Sequence, residues 1–189
     1  MVTEVFSPGI LVAALLLFVA WHASDTVAQA VTYGLIAAAA ASFLPVFYII
    51  RGVRQGRWTD KHVVVHSQRR LPLLIILVST VAGTAALALS GAPRELLALI
   101  ASMVASLIVA IPITVFAHWG ISIHALVAAG TVAALTVVLG PLATIGWLVV
   151  VTVCWARVRL GEHTAGHVLA GATVGALAMS ALFPLLSSS

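Results

Sequence analysis

Apolar residues in this chain come in seven runs, near residues 6–22, 27–50, 71–89, 96–116, 122–139, 142–156 and 164–186, separated by short polar breaks. No run alternates with the period of two that a lipid-facing barrel strand requires. Within hydrocarbon a chain must satisfy its own backbone groups, and without barrel strands that leaves helices. A helix needs about 20 apolar residues to cross a bilayer. The runs at 6–22 and 142–156 are short and read as tilted inserts or partial spans. The pattern predicts an all-α protein, a polytopic transmembrane helical bundle built from six or seven apolar segments.

The breaks carry recognisable helix stops. Ser24-Asp25 divides the first two runs, Gly91-Ala92-Pro93-Arg94-Glu95 the third and fourth, and Gly140-Pro141 the fifth and sixth. Pro72 falls near a helix start, where a missing N–H costs nothing, while Pro45 and Pro112 lie inside runs and predict kinks. Ala28-Gln29-Ala30 resembles a leader-cleavage site, but the residues before the first run contain Glu4 and no Lys or Arg, so this is not read as a secretory signal. With no repeat of 20–50 residues and no low-complexity linker, residues 1–189 read as one integral-membrane domain.

Composition agrees. The chain is 62% hydrophobic and 7% charged, against about 25% charged residues in a soluble domain. Arg51, Arg54, Arg57, Lys61, Arg69 and Arg70, six of nine Lys/Arg, sit in one loop between the second and third runs. A basic loop between membrane segments is expected to stay in the cytoplasm and to attract anionic lipid or phosphate. Membrane lipids and a lipid phosphate are therefore the expected partners, and nucleic acid is not; nothing in the pattern speaks to oligomeric state. Cys154 is the single cysteine, so no intrachain disulfide forms.

Three polar stretches interrupt the oily background: His62-x6-Arg69, Ser122-Ile123-His124 and Arg157-x5-His163-x3-His167. Two runs separate Arg69 from His124, and two more separate His124 from His163. If each pair is a hairpin across the bilayer, all three stretches reach one membrane face. Ionisable groups beside membrane helices are costly and mark functional sites. Arg69 and Arg157 offer rigid forks of donors matched to phosphate oxygens, whereas Arg159 reads as a residue that snorkels to the interface. Ser122 opens a helix as its cap, and the free amides of such an end bind anions, so Ser122 is also a candidate phosphate ligand. His124 is placed to donate a proton to a leaving oxygen. His163 and His167, at i and i+4, are expected on one face of the last helix. With His124 they offer three nitrogens to zinc, although Glu162 precedes the pair instead of lying within it as in the metalloprotease helix. His22, His66 and His118 read as interfacial.

In order and spacing these stretches resemble the type 2 phosphatidic acid phosphatase superfamily, which also holds bacterial acid phosphatases and vanadium haloperoxidases. Its pattern is Lys-x6-Arg-Pro, then Pro-Ser-Gly-His, then Ser-Arg-x5-His-x3-Asp. The similarity runs from about Asp60 to Gly175 and is most specific in the third motif, which continues as Val168-Leu169-Ala170-Gly171. The resemblance implies that His163 is the nucleophile and becomes a phosphohistidine, that His124 is the general acid and then the base for water, and that Arg69, Ser122 and Arg157 bind phosphate, with no metal or other cofactor. His62 stands at the place of the family lysine, and His167 at that of the aspartate that orients the nucleophile. Arg70, Ile121, Ile123 and Ala156 replace the proline, proline, glycine and serine of the pattern. These departures resemble a divergent branch of small bacterial members.

The expected function is that of a phosphatase in the bacterial inner membrane. It acts on a lipid phosphate or diphosphate, such as a prenyl phosphate, phosphatidic acid or phosphatidylglycerol phosphate. The alternatives are a lipid-phosphate-binding protein without turnover, a lipid phosphotransferase in which an alcohol replaces water, and a zinc-dependent hydrolase. The charge rule puts the site on the cytoplasmic face.

Overall fold

The computed structural model describes residues 7–56, 70–117 and 119–188. Among these residues the chain forms seven helices and no strand: α1 (Pro8–Ala23), α2 (Val27–Arg54), α3 (Arg70–Leu89), α4 (Arg94–Val115), α5 (Ile123–Leu139), α6 (Pro141–Arg159) and α7 (Ala165–Ser188). The seven apolar runs and the seven helices coincide. Five helices (α2, α3, α4, α6 and α7) are long and apolar enough to cross a membrane, as expected of an integral membrane protein. The sixth run was expected to be short; in the structure its helix extends over 19 residues, because Pro141 starts it and Arg157 and Arg159 prolong it. The shorter apolar helices are α1 and α5.

Helix boundaries follow local chemistry. Pro8 occupies the first turn of α1, where its missing N–H is no loss. The Thr26 hydroxyl caps α2 by accepting from Gln29 N at 3.2 Å. Gly91 and Gly140 adopt φ +75° and +81° after α3 and α5, the left-handed region that ends helices without a Cβ penalty. Pro45 is met by a wider π turn over Ala39–Phe43, and Pro184 by a second over Ala178–Leu182. A proline clashes with the carbonyl four residues back and cannot bond to it, and each π turn lies just before its proline. At the first, the Ser79 hydroxyl of α3 donates to the Ala40 carbonyl at 2.7 Å, and the Ser42 hydroxyl donates to Gly9 of α1 at 2.7 Å. Pro112 sits near the end of α4, which stops at Val115.

α5 is the central helix. His124, Ala125, Leu126, Ala128, Ala129, Gly130, Val132, Ala133 and Ala134 are all buried along it. Lipid tails are as apolar as leucine, so membrane helices associate by close packing at small residues. Gly171-x3-Gly175 on α7 supplies such a face: both glycines lie against the backbone of α5, at Ser122 and Leu126. Gly83 of α3 makes a similar close approach to α2, against the Cβ of Ala40. The main core joins Leu16 and Val19 of α1, Leu87 of α3, Leu96, Leu99 and Ile100 of α4, and Met179 and Phe183 of α7. The outer surface stays apolar, with Val78, Leu89, Leu142, Ile145 and Leu169 exposed; a surface of this kind is suited to lipid.

Candidate functional site

The turns after α4 and α6 meet at one end of the bundle. Ser122 precedes α5, and its hydroxyl accepts from Ala125 N at 3.5 Å, a long capping bond. Its own N–H donates to the His167 carbonyl in the first turn of α7 at 3.1 Å. His124 follows in the first turn of α5 and is buried, 6% exposed.

Arg157 ends α6 as the bulkiest of the most deeply buried side chains, 2% exposed. An arginine keeps its charge when buried and needs an anionic partner. Glu162 provides it through an ion pair with the guanidinium. Gly161, at φ +69°, turns the chain back after α6, and Glu162 N donates to Arg157 O at 3.3 Å. On a regular helix Glu162 would point elsewhere; here it lies in a turn, and the turn directs it to Arg157.

The same turn changes the geometry expected of the histidine pair. α7 begins at Ala165 with Thr164 as its cap, so His163 precedes the helix and only His167 lies on it. Thr164 and His167 form a reciprocal capping box: His167 N donates to Thr164 Oγ1, and Thr164 N donates to His167 Nδ1, both at 3.4 Å. With Nδ1 accepting, a neutral His167 ring carries its proton on Nε2. The rings of His163 and His167 still meet edge to face at 5.8 Å between centroids, and Trp119 packs on His167 at 5.5 Å.

A cavity of about 450 Å³ opens at this end. His124, Arg157 and His163 all line it, although they come from three separate parts of the chain. Most of the remaining wall is apolar, from Pro8, Val46, Ile50, Leu73, Leu107 and Met179 among others, and reaches inward to Gly130 and Gly175 in the middle of α5 and α7. The size is within the range of small-molecule sites. One end offers a guanidinium and two imidazoles, and the body offers hydrocarbon.

Ser122 is fully buried and is not on the cavity wall; its neighbours Ile121 and Ile123 are. His167 reaches the site through its contact with His163. Arg69 and His62, expected as phosphate ligands, lie outside the described residues, as do His66 and His118. The zinc arrangement of His124, His163 and His167 does not assemble: among the described residues no three His, Cys, Asp or Glu side chains converge to hold a metal ion. Sequence reasoning missed the roles of Glu162 and Thr164. The signal for Thr164 was present, a hydroxyl three residues before a side chain able to accept a bond. Glu162, five residues after Arg157, has no such local signature.

No family model, curated protein or solved structure matches this chain significantly.

Proposed function

We propose that this protein is an integral-membrane phosphatase acting on a phosphate or diphosphate ester of a lipid. The observation that carries the reading is the shared cavity of His124, Arg157 and His163, charged at one end and apolar along its body. An amphiphile with a phosphoryl head and a hydrocarbon tail is complementary to both parts. Arg157 binds phosphoryl oxygens through its guanidinium. An imidazole nitrogen of His163 attacks phosphorus, the bond from phosphorus to the ester oxygen breaks, and His124 gives that oxygen a proton. Water then attacks the phosphohistidine, His124 takes a proton back, and inorganic phosphate leaves with His163 restored. Arg69 and His62 complete the phosphate-binding set in this reading.

All seven helices cross the bilayer in the proposed topology. α1 has 16 residues and α5 has 17, or about 24–26 Å of helix against a hydrocarbon core of about 30 Å. For α5 the shortfall matters less because much of its length is buried against other helices. Arg51 and Arg54 end α2 at the same end as the site, which the charge rule assigns to the cytoplasm.

Phosphate release from the full-length protein in detergent, with chelator present, tests the activity. Dodecyl phosphate, phosphatidic acid and a prenyl diphosphate form the substrate panel. We expect release with at least one of them and loss of at least 100-fold in His163→Ala. Release by that variant at the wild-type rate would remove His163 as nucleophile.

A second reading, a lipid-phosphate-binding protein without turnover, is favoured by two observations. Arg157 already holds a carboxylate, and the orienting position carries His167, whose Nδ1 is used by the helix cap. Saturable binding of dodecyl phosphate with no phosphate release over hours selects it.

A further inference from the structure

One polar group on the cavity wall has no place in the site described so far. Thr114 lies in the last turn of α4, is 2% exposed, and lines the cavity with His124, Arg157 and His163. Its hydroxyl has no hydrogen-bond partner among the described residues. A helical serine or threonine commonly returns its O–H to the carbonyl one turn back. Three other buried hydroxyls do so, Ser102 to Ala98 at 2.9 Å, Ser106 to Ser102 at 3.0 Å and Thr80 to Ile76 at 2.7 Å, and a fourth, Ser42, donates to Gly9 of α1. A buried hydroxyl without a partner has given up its bond to water with nothing in exchange, and folded proteins contain few such groups. A ligand that enters the cavity with acceptor oxygens satisfies it.

Position narrows the ligand. Thr114 stands where α4 leads into the turn before α5, at the end of the cavity that holds the histidines and not at its apolar floor. Its free capacity is that of a donor, in a cavity also lined by a guanidinium and two imidazoles. Several donors around one space fit an oxyanion with more than one oxygen. The motif spacing points to Ser122 as the hydroxyl donor, yet Ser122 is off the cavity wall and caps α5.

We propose that Thr114 is a substrate-binding residue whose O–H donates to a phosphoryl oxygen in this cavity, a role the sequence pattern suggests for Ser122. The proposal rests on the anion-site reading above. Thr114 takes part in no covalent step; it binds and orients the phosphoryl group.

Thermal melting and calorimetric titration of the full-length protein in detergent test this, with inorganic phosphate and dodecyl phosphate as probes. In Thr114→Val a methyl group replaces the unpartnered hydroxyl, so the ligand-free variant melts at or above the wild-type temperature. Its affinity falls about tenfold, the effect of one hydrogen bond to a charged group. Thr114→Ser keeps the donor and binds within about twofold of wild type. Thr114→Ala is a second hydroxyl-free variant if Thr114→Val does not fold. Weakening for both probes supports the proposal with any phosphate as the ligand, and weakening for dodecyl phosphate alone supports it with a lipid head as the source. Wild-type affinity in Thr114→Val or Thr114→Ala overturns the role of Thr114 and leaves the anion site standing. A wild-type protein that binds neither probe overturns the anion site and Thr114 together.

Discussion

The amide of Ser122 donates to the carbonyl of His167 at 3.1 Å, so the second and third polar stretches are joined through backbone. This link needs α5 and α7 to approach closely, and Gly171 permits it. A Cβ on Gly171 would fall against the Ser122 carbonyl oxygen and within 3.3 Å of Leu126 N. Backbone cannot give way as a side-chain tip can. Gly171→Ala is expected to destabilise the protein by about 1–3 kcal/mol and to reduce phosphate release, because His124 and His163 move apart. Gly166→Ala, whose Cβ meets Trp119 at an ordinary 3.4 Å, is expected to leave both unchanged. Melting in detergent beside an activity assay compares them.

Arg157 and Glu162 are a buried charge and its partner. Removing one member leaves the other uncompensated, a cost of about 3 kcal/mol when both are fully buried and less here, since Glu162 keeps 23% of its side-chain exposure. Glu162→Gln should therefore melt lower than wild type. An anion then replaces the lost carboxylate, so phosphate is expected to raise the melting temperature of Glu162→Gln more than that of wild type. An equal phosphate shift in both proteins would show that Arg157 does not face the anion.

His167 holds two tasks, the cap of α7 and contact with the His163 ring. His167→Asp keeps an acceptor near the Thr164 amide, puts a negative charge at a helix N-terminus, and supplies a carboxylate to stabilise a cationic His163 ring. We expect unchanged or slightly higher stability and phosphate release raised about tenfold. A fall in release, with folding intact, would mean that the imidazole itself is needed.

The end of the bundle that carries the site is expected to face the cytoplasm. A cysteine placed at Arg54, after Cys154 is replaced by alanine, should react with a membrane-impermeant reagent only after cells are opened. One placed at Asp25, in the turn between α1 and α2, should react in intact cells. The opposite labelling reverses the orientation.

Much of the fold was legible because hydrocarbon is a strict solvent. Uninterrupted apolar runs in it have little choice but helix, and Ser24, Gly91 and Gly140 mark ends that the structure keeps. The run at 142–156 came out too short, since counting apolar residues discards the arginines that close α6. The kink expected at Pro45 takes the form of a π turn, where the Ser79 hydroxyl of α3 bonds the Ala40 carbonyl. Ser79 is 39 residues from Ala40, and no local window contains both.

Sequence alone determined the class of the protein, the order of its helices and the three polar stretches, because those depend on composition and on spacing within one segment. Tertiary structure decided how the polar groups are used. It turned Glu162 to Arg157, gave Nδ1 of His167 to a helix cap, set Ser122 behind the cavity wall and left Thr114, with its unpartnered hydroxyl, on the wall shared by His124, Arg157 and His163. These outcomes depend on how closely α5 and α7 pack at two glycines and on a turn fixed by the left-handed Gly161. Distances between helices are set by contacts across the bundle, and no pattern along a single segment encodes them.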